Sequence, residues 1–300
     1  VGNLFHTEPQ TRAARAISEL GFGGRSFFCH SGADANEAAL KLARLYGKAH
    51  RGSSTGEFGR YKVISCTKSF HGRSFATMGA TANPAVREGF GPHLPGYTNV
   101  AYNDLDAVKA ELDDETIAII AEPIQGEGGA NVPNPDYFKQ LRALCDEHDL
   151  LLICDEVWTG CGRTGKYFAY RTWGIEPDIR TLGKGVGGGL AVGVMGAQPR
   201  VAELYTAKTQ GGVKHATTLG GNCLSMAVTA RIFDVLQRDN LIEHAATLGD
   251  AAMKRLRTFA ESHPIVKDVR GQGLIIGIKL DPAAEDRKST RLNSSHPSRS

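Results

Sequence analysis

Two apolar runs in this chain stop at ionisable side chains. Leu150-Leu151-Leu152-Ile153-Cys154 ends at Asp155, and Pro177-Asp178-Ile179-Arg180-Thr181-Leu182-Gly183 ends at Lys184. Each reads as a buried strand, and in an open α/β sheet ligands sit at the carboxyl ends of strands. One strand delivers an acid, the other an amine. Lys184 is followed by Gly185, Gly187, Gly188 and Gly189. A lysine at such a strand end can be partly desolvated, with a lowered pKa, and can form an imine with a carbonyl; its alternative is a solvated loop lysine. The pair suggests a cofactor that needs a carboxylate on one side and a covalent nitrogen on the other.

Pyridoxal phosphate has those needs. Its ring withdraws electrons best when the ring nitrogen carries a proton, and a buried carboxylate such as Asp155 holds that proton in place. The other readings of a strand-end aspartate are a magnesium ligand and a helix cap. Val157, two residues on, faces the same side if strand geometry persists, and then packs on the ring. Ser31-Gly32-Ala33 at a helix start offers backbone N–H groups to a phosphate, and Thr218 is a second candidate donor or an ordinary turn hydroxyl. Phe70 or His71 would stack on the other ring face, unless they belong to the core. Arg73 has the planar fork that suits a substrate carboxylate. Glu127, on a glycine-rich loop, either holds a cationic partner or is exposed.

The elements that must position these residues alternate between strand and helix, the pattern of an α/β fold. Pro9 to Leu20 reads as a helix, Ser26 to Cys29 as a strand, and Ser31-Gly32-Ala33-Asp34 as the turn into a helix ending near His50. The apolar stripe of that helix is Ala35, Ala38, Leu42, Leu45, Tyr46 and Ala49. Arg51 to Gly59 is a polar loop. Strands are expected over Tyr61–Cys66, Asn99–Tyr102, Thr116–Ala121 and about Val192–Ala197. Helices are expected over Leu105–Leu112, Pro135–His148, Leu224–Leu236 and Leu241–His263, with a last strand over Gly273–Leu280. A soft domain boundary falls near Asp239, where the alternation gives way to long helices and one strand. From about Arg287 the chain has neither periodicity nor core residues and reads as a non-native or disordered tail.

Composition narrows the function classes. The 300 residues are 41% hydrophobic, enough to bury a large core, and 35 basic against 32 acidic residues leave a net charge of +3. That balance gives no broad basic field, so no nucleic-acid partner is expected. No run has the length of a membrane span and no signal pattern opens the chain, which makes the cytoplasm the default location. The six cysteines form no zinc-spaced cluster and read as buried reduced thiols, so no metal site is expected. Two glycine motifs are decoys. Gly160 to Lys166 has P-loop spacing, but Tyr167 stands where magnesium needs a small hydroxyl. Gly183, Gly185 and Gly188 match dinucleotide spacing without an acidic partner on a following strand.

Taken together, the residues resemble the class III (subgroup II) aminotransferases of fold type I, most closely the acetylornithine aminotransferases. The resemblance lies in Asn3-Leu4-Phe5 before Glu8-Pro9-Gln10, Ser31 to Glu37, Phe70 to Arg73, Glu122 to Gly129, Asp155 to Gly165, Pro177 to Gly189 and His215 to Asn222, and covers Val1 to about Leu280. It implies a mostly parallel seven-stranded sheet between helices in a large domain (1–238), then the start of a small α+β domain (239–281), with the tail at 287–300 outside both. It implies that Lys184 forms the Schiff base with pyridoxal 5'-phosphate, Asp155 pairs with the ring nitrogen, and Val157 and Phe70 sandwich the ring. Gly32 and Ala33 would bind the phosphate, and Thr218 would reach the phosphate of the other subunit of a homodimer. Arg73 would take the α-carboxylate of N-acetylornithine, and Glu127 would pair with an arginine in one half-reaction and free it for 2-oxoglutarate in the other.

The chain departs from the family pattern at several positions. Trp158 stands where many members have a glutamine, His30 where asparagine is common, Asp34 for glutamate and Gly183 for alanine. Family chains begin earlier and continue past Leu280, so a truncated small domain is expected, lacking the arginine that partners Glu127. Ornithine, succinylornithine and 4-aminobutyrate are alternative amine donors. A P-loop nucleotide-binding protein and an inactive remnant are the readings from other classes.

Overall fold

A computed structural model describes residues 5–50, 57–206 and 211–282. Asn3, Leu4, most of the polar loop after His50 and the tail from Arg287 lie outside the described residues. Seven strands form one sheet: β1 (Arg25–Cys29), β2 (Lys62–Cys66), β3 (Tyr97–Val100), β4 (Thr116–Ala121), β5 (Leu151–Asp155), β6 (Ile179–Leu182) and β7 (Gly193–Ala197), in the order β1-β7-β6-β5-β4-β2-β3. β7 runs against both its neighbours and every other pairing is parallel. The carboxyl ends of β1, β2, β4, β5 and β6 therefore open on one edge.

Both faces of this sheet are covered, and the strand repeat sorts side chains between them. Leu151 and Ile153 pack with Ala38, Ala39, Leu42 and Ile117 on one side; Leu152 and Cys154 pack with Phe138, Leu141, Phe168 and Phe233 on the other. Double burial is why the central strands read as continuous apolar runs rather than alternating ones. The Gly32–Ala49 helix covers the first face. It starts where Ser31 Oγ accepts from Asp34 N at 3.1 Å, which satisfies one of the unpaired amides of its first turn. Its buried stripe differs from the expected one: Ala39, Leu40 and Ala43 are buried, whereas Leu45 is half-buried and Ala49 exposed. The Glu8–Leu20, Tyr137–Glu147 and Cys223–Arg238 helices supply the second face.

The first of these is tied down by a buried cation. Arg180 of β6 is 1% exposed, lies 4.2 Å from the Phe22 ring centroid and 4.4 Å from that of Phe168, and donates Nη2–H to Ile17 O at 2.7 Å. A Cβ on Gly21 would meet this guanidinium at 1.9 Å, so a side chain there would displace Arg180 from its seat.

Beyond the Leu241–Glu261 helix the chain forms an antiparallel pair, β8 (Val266–Gln272) with β9 (Ile275–Leu280), as a second sheet. Sequence reasoning expects only β9. β8 escapes it because Lys267, Asp268 and Arg270 interrupt its apolar residues on a half-exposed hairpin. Cys29, Cys66, Cys145 and Cys154 are buried free thiols, and Cys161 and Cys223 are part-exposed. No helix among the described residues is long and apolar enough to cross a membrane.

Candidate active site

The loops that leave the convergent strand ends bring the expected site residues to one edge of the sheet. β5 ends at Asp155, where its apolar run ends, and β6 at Leu182, two residues before Lys184. Val157 therefore lies in a turn rather than on a continuing strand, and Lys184 begins a 3-10 turn with φ +46°.

Asp155 forms the floor. Its Oδ2 accepts from His71 Nδ1–H at 2.8 Å and from Asn36 Nδ2–H at 2.7 Å, and its Oδ1 accepts from Val157 N at 3.0 Å. Burial pushes its pKa up, but the His71, Val157 and Asn36 donors outweigh that, and the carboxyl sits below its ordinary value. It is an ionised carboxylate held without an exposed counter-ion. Asn36 is itself fixed, donating also to His71 O at 2.8 Å and accepting from Thr181 Oγ1 at 2.7 Å. His71 thus lies under this floor, and its Nε2 is buried without a partner.

Lys184 keeps more than a third of its surface open. Even so, desolvation lowers its pKa against the pull of Asp155 and Glu122, Arg163 lowers it further, and Glu127 opposes. Lost hydration thus outweighs the neighbouring acids, and a larger share of the side chain is the neutral nucleophilic amine.

Glycines allow the walls to meet. A Cβ on Gly32 would lie 2.6 Å from Val157 Cγ1, and one on Gly183 would lie 3.0 Å from Gly32 Cα. Gly72, at φ +129°, lets the Phe70–Arg73 loop rest on the helix start, where its Cβ would come within 2.8 Å of Ala33 Cβ. Gly32, Ala33, Val157, Lys184, Asp155 and the Phe70 loop are thereby brought together. Phe70 is half-buried, and the Arg73 guanidinium lies over its ring at 5.9 Å. Glu127 is exposed on its loop, and Thr218 is exposed beside Thr217, whose hydroxyl contacts the His30 ring at 3.1 Å.

Three residues of the site escape sequence reasoning. Asn36 carries one signal, a polar residue inside a helical apolar stripe. Glu122 carries another, an ionisable residue that closes an apolar run as Asp155 does, and Arg163 carries none. Trp158, unassigned from sequence, packs on Gly126, where a Cβ would lie 2.5 Å from the indole Cε3. The Gly160–Lys166 glycines serve packing: side chains at Gly162 and Gly165 would strike Ile242 at 2.5 Å and Ala246 at 2.6 Å. That use displaces the P-loop reading.

Comparison with known proteins gives the family. The model of the family "Aminotransferase class-III" matches residues 1–294. The acetylornithine aminotransferase of Caldanaerobacter subterraneus subsp. tengcongensis is 43% identical over 279 residues, covering 93% of this chain and 68% of the relative. A succinylornithine transaminase/acetylornithine aminotransferase of Pseudomonas aeruginosa is 39% identical over 98% of this chain and 70% of its own length. Among solved structures, the Toxoplasma gondii ornithine aminotransferase, crystallised with partial occupancy of pyridoxal phosphate at its active site, superposes with a TM-score of 0.85 at 31% identity, over 94% of this chain and 65% of that one. The chain thus spans about two thirds of the length of these proteins. It belongs to the class III aminotransferases, a family of transaminases that use pyridoxal 5'-phosphate.

Proposed function

We propose that this chain carries the amine-exchange site of an aminotransferase that moves the terminal amine of N-acetylornithine to 2-oxoglutarate, a step of arginine biosynthesis. The reading rests above all on Asp155 and Lys184, which leave the ends of adjacent strands with opposite electrostatic settings, an ionised acid and a depressed lysine. Pyridoxal phosphate, when bound, supplies the electron-withdrawing ring through which amine and carbonyl exchange. The residues present suit that group. Asp155, already ionised by three donors, would hold a proton at the ring nitrogen. Val157 and Phe70 would flank the ring, and the amides of Gly32 and Ala33, at the start of an 18-residue helix, would bind the phosphate.

Lys184 Nζ would hold the cofactor, then take the proton from the substrate carbon that bears the amine and return it on the other side of the exchange. Arg73 would orient the substrate α-carboxylate, and Glu127 would release or engage a cationic partner between half-reactions. Thr218 would serve the phosphate of the other subunit in a homodimer, and residues 239–281 would begin a second, smaller domain. A cytoplasmic location goes with this reading.

Incubation with pyridoxal phosphate, borohydride reduction and peptide mapping test it. A label on Lys184 in the wild type, lost in Lys184→Ala, supports the assignment; equal labelling of the variant refutes it. Succinylornithine is the second reading, favoured by the double name of the Pseudomonas aeruginosa relative. Parallel assays of N-acetylornithine, succinylornithine, ornithine and 4-aminobutyrate with 2-oxoglutarate rank the donors.

A further inference from the structure

Glu122 follows β4 directly and is 6% exposed. Its Oε1 accepts from Phe70 N at 3.0 Å and its Oε2 from Gly126 N at 3.1 Å. One carboxylate thus holds two loops that have no strand in common. Its backbone is fixed in turn, since Tyr102 Oη donates to Glu122 O at 2.9 Å. The Gly126 loop is braced elsewhere, by the Trp158 indole against Gly126 and by Arg270 Nε, which donates to Gly129 O at 2.7 Å. Arg73 stands three residues after Phe70, and Glu127 one residue after Gly126.

We infer that Glu122 is a positioning residue, whose carboxylate ties the Phe70–Arg73 loop to the Gly126–Gly129 loop and so fixes the two loops that carry Arg73 and Glu127. The inference rests on the reading of those two residues as substrate-binding. A carboxylate accepts at both oxygens, whereas a protonated carboxyl turns one of them into a donor facing a backbone N–H. The tie therefore depends on ionisation. The ionisable groups around Glu122 are His71, Asp155, Lys184, Cys66 and Tyr102. Burial pushes its pKa up to about 7, with Asp155 adding to the rise and His71 and the two amides opposing it.

Residue-resolved hydrogen exchange of the full chain, with and without pyridoxal phosphate, tests the tie, after correction for the intrinsic pH dependence of exchange. At about pH 8, where the carboxylate is ionised, the Phe70 and Gly126 amides should be strongly protected in the wild type. Glu122→Gln, isosteric but with one acceptor, should leave one of these amides about tenfold less protected. Wild-type Phe70 and Gly126 amides that exchange as fast as exposed ones overturn the inference without any variant. In transamination assays Glu122→Gln should raise KM for both carboxylate substrates about tenfold while kcat stays within about twofold. Released amides with unchanged KM overturn the link to substrate. Absence of transamination in the wild type, with the exchange result intact, sinks the functional reading and leaves the tie standing.

Discussion

His71 Nδ1–H donates to Asp155 Oδ2 at 2.8 Å, and neither side chain is more than 3% exposed. The pair makes the acid permanent rather than titratable near neutrality. Because the folded pKa of Asp155 lies below its ordinary value, its contribution to stability is present above that ordinary value and is lost as pH falls through the folded one. His71→Ala removes the strongest donor, so the acid-unfolding midpoint should move to higher pH. At neutral pH the variant should be about 2 kcal/mol less stable, the worth of a hydrogen bond to a charged group. Circular dichroism against pH and urea measures both, and an unchanged midpoint would contradict the assignment.

Gly32 and Val157 are in contact in the wall of the site, with no room for a Cβ between them. Gly32→Ala should cost about 1–3 kcal/mol by overpacking and should weaken pyridoxal phosphate binding. Val157→Ala clears the colliding methyl groups, so the double variant should recover part of the loss. Additive effects in a double-mutant cycle read by thermal unfolding would show that the collision is relieved some other way.

Arg180 binds the Glu8–Leu20 helix to β6 through both its charge and its stem. Arg180→Ala leaves Ile17 O without its donor and opens a cavity between Phe22 and Phe168, a loss of about 3 kcal/mol or more. Arg180→Met keeps the stem and should cost about half of that. Urea unfolding of the two variants separates packing from hydrogen bonding, and equal costs would place the whole effect on the guanidinium.

How much of this was legible in the sequence follows from how local each signal is. β4 and β5 announce themselves because strands buried on both faces are continuously apolar over five or six residues. β8 does not, since its charges mask a half-exposed strand whose partner alone defines it. Asp155 and Lys184 are visible as charges that end apolar runs. The network beneath them is not: Asn36 and Asp155 are 119 positions apart, and Glu122 and Phe70 are 52 apart. Spacing also placed Val157 on a continuing strand, whereas the chain turns after Asp155 and brings Val157 to Gly32 by another route.

The same distance between sequence neighbours and spatial neighbours governs Lys184. Its pKa is lowered first by lost hydration, and among the charges only Arg163 adds to that fall while Asp155, Glu122 and Glu127 oppose it. Arg163 reaches the lysine from the turn after β5, with Nη2 3.8 Å from where a Cβ on Gly185 would stand. Replacing the cation should therefore move Lys184 toward its ordinary value, and replacing an acid should move it further away. Competitive acetylation of the cofactor-free chain with a trace of acetic anhydride reads this directly, because only the neutral amine reacts. At neutral pH Arg163→Met should label Lys184 several-fold more slowly than the wild type, and Glu127→Gln faster. Arg163→Lys keeps the charge and should stay close to the wild-type rate, which separates electrostatics from loss of the turn. If Arg163→Met and Arg163→Lys slow the labelling equally, the guanidinium acts on Lys184 through packing and not through its charge.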